Sequence, residues 1–364
     1  MSRHVQVFLV TLTLFTFLHV QTLAKNPLFI FGDTILDVGN NNYINTIIDA
    51  QANFYPYGIT FFNIPTGRFS DGRLICDVIA KNANLPLIPP YLEPGHPQFY
   101  DGVNFASAGA GALVPTFEGK VINLHMQLEN YKKVEATFQN MSGNIGAKKM
   151  KSKAVYMISV GADDYLAILL SNATTQFTGL SPPHYVNLVI SNLTSVITEI
   201  YNRGGRKFAI MNVPQVACMP ELRNANVEGK GECVKNASIY AILHNQALQL
   251  SLQQLQLDLP GFKYSLYDLY SHLQQFIDYP SKYGYKEAKT ACCGSGEYRG
   301  IASCGRVTEF KTYELCKDVD NYVFWDSTHL TDKAHKMFGD EMWSNATGAF
   351  CYGPYTTKDL FYLP

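Results

Sequence analysis

The 364-residue chain carries 29 Lys+Arg against 30 Asp+Glu, and its 47% hydrophobic and 16% charged content lies far from the charge-rich, apolar-poor composition of disordered chains. A formal net charge of −1, with no run of five like charges, leaves no electrostatic footprint for nucleic acid or an anionic membrane. Length alone allows two domains at ~150 residues each, but no Gly/Ser/Pro-rich linker interrupts the middle, so residues 25–364 are expected to form one large domain.

Residues 1–24 read as a secretory signal peptide. Arg3 and His4 precede an apolar run from Val5 to Val20, and Thr22-Leu23-Ala24 supplies the small-x-small ending that signal peptidase takes. Thr11, Thr13, Thr16 and His19 keep the run below the ~20 apolar residues that span a bilayer, so cleavage before Lys25 is expected rather than anchoring. No later stretch reads as transmembrane.

Downstream, short β-branched and aromatic runs alternate with longer amphipathic stretches, the pattern of β-α-β units around a parallel sheet. The expected strands, in chain order, are Leu28–Phe31, Val103–Ala106, Ala154–Val160, Lys207–Asn212 and Phe262–Leu266. Between the third and fourth, Pro183–Asn202 is expected to be a helix with Val186, Val189, Ile190, Leu193, Ile197 and Ile200 on one face, closed by Gly204-Gly205. Ala237–Leu257 is a second long helix, and a final one starts near Thr331 and runs toward Trp343.

Eight cysteines fit an exported chain, because an oxidising compartment lets them pair. Cys76 stands alone as a candidate buried thiol. Cys218, Cys233, Cys292, Cys293, Cys304, Cys316 and Cys351 fall in the loop-rich second half, where cross-links restrain insertions, although spacing does not fix their connectivity. No two Cys-x-x-Cys pairs occur, which argues against a zinc site. Asn-x-Ser/Thr sequons at Asn140, Asn172, Asn192, Asn236 and Asn345 make several glycans the expectation.

Four segments could carry chemistry. Thr34, after the first strand in Phe31-Gly32-Asp33-Thr34, sits where a hydroxyl meets its own amide and a helix N-terminus, although such a residue is more often a plain helix cap. The turn Gly102-Val103-Asn104-Phe105-Ala106-Ser107-Ala108-Gly109-Ala110-Gly111 and the turn Val160-Gly161-Ala162-Asp163-Asp164 follow two other strands and offer unhindered amides. Asp326-x-x-His329 lies in a loop, where a carboxylate can orient an imidazole that reaches a hydroxyl. A second copy, Asp332-x-x-His335, lies inside the last helix and reads as an ordinary surface pair. Spacing alone does not choose between the two copies.

Together, in this order, these segments resemble the plant secreted GDSL esterase/lipases of the SGNH hydrolase superfamily. The resemblance spans essentially the whole mature chain and includes Asp37-x-Gly39-Asn40-Asn41, Gly67-Arg68-Phe69-Ser70-Asp71-Gly72-Arg73, Cys292-Cys293-Gly294 and Tyr322-Val323-Phe324-Trp325-Asp326-x-x-His329. It implies a three-layer α/β/α flavodoxin-like fold with a central parallel sheet of about five strands. It also implies a hydroxyl-Asp-His triad that needs no metal or cofactor, and a small-molecule acyl ester or lipid as substrate.

The catalytic set so implied is Thr34, Asp326 and His329, with Thr34, Gly109 and Asp163 at the oxyanion hole and Arg68 and Arg73 in structural roles. At two of these positions the chain departs from the family pattern, which has Ser at 34 and Asn at 163. The readings that follow are a secreted ester hydrolase, a relative that binds an acyl ligand or partner protein without turnover, and an acyltransferase.

Overall fold

A computed structural model describes residues 26–95, 99–170, 179–306 and 312–364; the expected signal peptide 1–24, its cleavage point at Lys25 and the sequon at Asn172 lie outside them. All five expected strands form, with ends shifted by a residue or two. β1 (Leu28–Gly32), β2 (Gly102–Asn104), β3 (Val155–Ser159), β4 (Lys207–Met211) and β5 (Lys263–Tyr267) make one parallel sheet in the order β2-β1-β3-β4-β5. Phe29 registers with Val103 on one side and Tyr156 on the other. The strands read as unbroken apolar runs because both sheet faces are covered, and Leu28, Phe29, Ile30 and Phe31 are all fully buried.

The covering helices are α1 (Ile75–Asn82), α2 (Leu124–Lys153), α3 (Ala162–Leu170), α4 (Pro182–Asn202), α5 (Pro220–Ala225), α6 (Lys235–Asp258), α7 (Leu269–Asp278), α8 (Asp332–Ser344) and α9 (Thr357–Tyr362). On one side α4 packs against both α2 and α6, which reach β1 and β5. Another group joins α1 to α8 and α8 to α9, which touches β4 and β5. This is the three-layer α/β/α, flavodoxin-like arrangement expected from sequence. The α4 stripe buries the six residues its spacing predicts.

Two features depart from expectation. The helix expected to be last is followed by α9, which Thr356 and Asp359 start with a reciprocal capping box. Unanticipated α2 begins at Asn123, whose side chain accepts the Met126 N–H, and breaks at Gly143 (φ 68°, ψ 175°). Its apolar stripe runs from Leu124 to Phe138 and then fades into polar residues, which hid the element's length.

Three disulfides form: Cys218–Cys233, Cys292–Cys316 and Cys293–Cys304. The adjacent Cys292 and Cys293 diverge to separate partners and tie down a lobe that packs with Tyr57, Phe69 and Trp325. Cys76 is a buried thiol, as expected. Cys351, counted among the cross-linking cysteines, is unpaired as well. Burial, followed by the nearby Glu341 charge, pushes its pKa up to about 12, so it is an unreactive thiol rather than half of a bridge.

Candidate active site

In a parallel α/β sheet the loops that leave the C-terminal strand ends meet at one edge. Here β1 runs into Asp33-Thr34, β2 into the turn carrying Gly109, and β3 into Gly161 and Asp163; the loop before α8 brings Asp326 and His329 to the same edge. Thr34, Gly109, Asp163, Asp326 and His329 line one cleft of about 350 Å³. The structure thus brings together every residue that the sequence nominated for the site.

The Asp37-x-Gly39-Asn40-Asn41 motif is the frame that aims Gly109. Asp37 accepts the N–H groups of Gly39 (2.8 Å) and Asn40 (2.7 Å) on one oxygen and that of Ala108 (2.9 Å) on the other. Asn40 donates to the carbonyls of Asn104 and Ala106, and Asn41 to that of Ala108. Burial outweighs these bonds and raises the Asp37 pKa to about 6. Gly109 itself adopts φ +80°, a conformation costly for any residue with a Cβ, and a Cβ there would press on Val121 at 3.0 Å.

Asp326 and His329 form a tight pair, with His329 Nδ1 2.6 Å from Asp326 Oδ1. The same carboxylate accepts the backbone N–H of Thr328 (3.0 Å) and of His329 (2.9 Å), and the Tyr57 hydroxyl (2.7 Å). Burial acts to raise the Asp326 pKa, but the His329 charge and these hydrogen bonds together pull it below the ordinary carboxylate value. Asp326 therefore stays ionised and fixes the Nδ1 proton, which leaves Nε2 as the basic nitrogen. Phe69 packs on the His329 ring with centroids 4.5 Å apart. Tyr57 and Phe69 escaped sequence reasoning as site residues; Phe69 lay inside a quoted motif, whereas Tyr57 carried no signal.

The nucleophile side is arranged differently. Thr34 Oγ1 donates to Asp163 Oδ2 (3.0 Å) and accepts the Gly109 N–H (2.9 Å); among the described residues no hydrogen bond joins Thr34 to His329. Burial raises the Asp163 pKa against the lowering effect of the Thr34 hydroxyl, the His329 charge and the amides of Thr34 and Gly109. The two amides expected to hold an oxyanion thus already face a carboxyl group. Asp33, buried beside Thr34, has its pKa raised well above the usual value by burial and then by the Asp163 charge. Glu221, also on the cleft, is pushed up to about 7 by burial and by the charge of Asp326. Burial and repulsion between neighbouring carboxyls thus favour the protonated forms of Asp33, Asp163 and Glu221, against the lowering effect of the His329 charge on the last two and in contrast to Asp326.

The second Asp-x-x-His copy is not the surface pair expected. The Asp332 carboxylate turns to Arg73, with Nε at 2.9 Å and Nη2 at 2.7 Å, while His335 is 1% exposed and its Nδ1 has no partner among the described residues. Burial lowers the His335 pKa to about 4, so it is neutral. Position i+3 on α8 points into the protein because the helix packs that face on α1. Arg73, and Arg68 with its two bonds to Asp77 (2.8 Å each), hold carboxylates, as expected of structural arginines.

Among the described residues no cluster of three or more His, Cys, Asp or Glu is arranged to hold a metal ion, and no helix is long and apolar enough to cross a membrane.

A flavodoxin-like sheet that delivers a hydroxyl, an Asp-paired imidazole and glycine amides to one edge defines the SGNH class of hydrolase. The chain belongs to the GDSL-like Lipase/Acylhydrolase family, whose model matches residues 28–342. It is 51% identical to GDSL esterase/lipase 5 of Arabidopsis thaliana over 93% of this chain and 88% of that protein. GDSL esterase/lipase 1 of the same plant is 46% identical over 93% of this chain and 91% of its own. A more distant relative there, Inactive GDSL esterase/lipase-like protein 25, is 33% identical over 95% of this chain and 78% of its own. Family resemblance supports a carboxylic ester hydrolase acting on lipid or other acyl esters.

Proposed function

We propose that this chain is a secreted carboxylic ester hydrolase that turns over through an acyl-enzyme on Thr34, at a rate set by the protonation of Asp163. Residues 25–364 act as one hydrolase domain behind a cleaved signal peptide. As Thr34 Oγ1 attacks the ester carbonyl, His329 Nε2 takes its proton, and Asp326 holds the resulting imidazolium. The Thr34 and Gly109 amides receive the developing oxyanion. His329 then protonates the leaving alcohol, and a water repeats the sequence to release the acid. The observation that carries this reading is the 2.6 Å His329–Asp326 pair in the same cleft as a hydroxyl held 2.9 Å from the Gly109 amide.

Both departures slow the reaction. The threonine methyl stiffens χ1 and crowds the acyl carbon. An ionised Asp163 competes with the substrate oxygen for the two amides, whereas a protonated Asp163 gives them up and adds an O–H donor of its own. A silent binder of acyl ligands is the second reading, favoured by the Thr34 hydroxyl bonding to Asp163 instead of His329. Release of p-nitrophenol from acetate and butyrate esters by the pure mature protein, beside Thr34→Ala, decides between them. Turnover that disappears in the variant supports the hydrolase; equal background in both supports the binder.

A further inference from the structure

Two carboxyl groups sit side by side in the first turn of α3, Asp163 and Asp164, and the mechanism above uses only the first. Successive side chains diverge by ~100° around a helix, so the two face different partners. Asp163 turns toward Thr34, while Asp164 turns into the loop that follows β2. There Asp164 Oδ2 accepts the Ala112 N–H (2.8 Å), and Oδ1 accepts the Leu113 N–H (3.1 Å) and the Thr116 hydroxyl (2.6 Å). The Tyr185 hydroxyl donates to the Asp164 carbonyl (3.1 Å) and holds the residue from behind. Asp164, Ala112 and Thr116 are fully buried, so losing the carboxylate would strand these donors away from solvent. The fit has no slack, because a Cβ at Gly111 would overlap both the Asp164 carboxylate and the Thr116 side chain. The same loop carries Gly109 and continues to Phe117 and Val121, which line the cleft with it.

We propose that Asp164 is a positioning residue for ester cleavage: by clamping the β2 loop to α3 it sets where the Gly109 amide stands relative to residue 163 across the oxyanion hole. This rests on the hydrolase reading above and deepens it. On the near side of Gly109, Asp37 holds the Ala108 N–H. On the far side the Leu124 N–H ties Gly111 to α2 (3.1 Å), and Asp164 ties the next two amides to α3, the element from which residue 163 reaches Thr34. Loosening that tie moves one wall of the hole against the other. A displacement of ~1 Å typically costs ~10² in rate. The loss falls on the transition state, since the oxyanion exists there and not in the bound substrate. A carboxylate that served folding alone would change stability and leave the kcat of folded protein as it was.

The test is steady-state kinetics on p-nitrophenyl acetate for Asp164→Asn and, independently, Gly111→Ala, each in the natural protein and in T34S/D163N. Assays are run near neutral pH, above the value of about 6 to which burial raises the Asp164 pKa. Asparagine keeps the shape of Asp164 but turns an amide donor toward a backbone N–H, whereas alanine at 111 pushes the carboxylate off its partners without altering its charge. In both variants kcat should fall fivefold or more, with KM changing less than kcat does. Inhibition by trifluoroacetone gives a readout that a purely structural role would not move. The hydroxyl at position 34 adds to the ketone carbon, its proton passes to His329, and the carbonyl oxygen becomes an oxyanion in the hole. Its Ki should therefore rise by about the factor lost from kcat/KM. A folded variant whose kcat or Ki stays within fivefold of its parent, or whose loss is confined to KM, overturns the clamp and leaves the hydrolase reading standing. Should no protein in either background cleave the ester, the hydrolase reading falls and the clamp falls with it.

Discussion

Asp326-x-x-His329 and Asp332-x-x-His335 have the same spacing, six residues apart, and opposite fates. In the loop, backbone amides and Tyr57 hold the carboxylate, and the imidazole folds back onto it at 2.6 Å, 18% exposed at the side chain. On α8, regular backbone carries Asp332 to Arg73 and turns His335 into the core, neutral and apart from its acid. Spacing nominates an acid–base pair, but the backbone that carries it decides whether the pair forms. A loop can bend the acid back toward its base, whereas a helix fixes the two directions and lets packing choose.

The largest effect that separates the copies is expected at His329. His329→Ala should lower kcat on a p-nitrophenyl ester by ~10³-fold or more, since in the proposed mechanism it removes the base and the later acid together. Asp326→Ala should cost somewhat less, with the loss seen in kcat rather than KM. A His329→Ala protein that keeps more than a tenth of the natural rate would break the comparison.

His335→Ala should instead register as lost stability, about 2–3 kcal/mol, from a cavity in a packed region. A chemical-denaturation midpoint that does not move would show that His335 is not the core residue the structure makes it.

A smaller effect concerns pH and stability. The buried His244, His272 and His335, with pKa values lowered by burial to about 3, 4 and 4, must charge on unfolding, so their contribution is present above about pH 6.5 and is lost as pH falls toward 4. Asp37, Asp71 and Asp164, each raised by burial to about 6, run the other way, because the folded state holds protons that the unfolded state releases. Their contribution grows as pH falls from 6 to 4. Glu221, raised to about 7, and Asp33 and Asp163, both raised by burial, add to the second set, while Asp326, whose pKa is lowered, adds to the first. The carboxyls whose protons are held in the folded state outnumber the groups that oppose them, so Tm should hold or rise by a few degrees between pH 6 and pH 4. A marked fall in Tm over that window would show that the buried histidines dominate.

Much of this was legible in the sequence, for physical reasons. Both-face burial turns strands such as Leu28–Gly32 into unbroken apolar runs, and the α4 stripe repeats at the helical period; both signals are local. The site residues were nominated through family resemblance, and the edge geometry of a parallel sheet accounts for their meeting. What stayed hidden depends on contacts between distant segments. Tyr57 reaches Asp326 across 269 positions, and Asp332 finds Arg73 across 259, so no spacing could announce either. The unpaired Cys351 was hidden for the same reason, since an even count cannot say which thiols meet.

The central claim is that Thr34 is a working nucleophile restrained by its neighbour Asp163, and the pH dependence of kcat/KM for p-nitrophenyl acetate in the natural protein and in T34S/D163N tests it most directly. The natural protein should show a narrow, acid-shifted optimum, because activity rises as Asp163 gains its proton and falls once the base is charged. The double variant, with an uncrowded hydroxyl and a neutral amide donor, should be faster by ~10²-fold or more, with its optimum broadened upward. A natural protein that already matches the variant in rate and profile would contradict the restraint, and a variant that stays inactive at every pH would contradict the nucleophile.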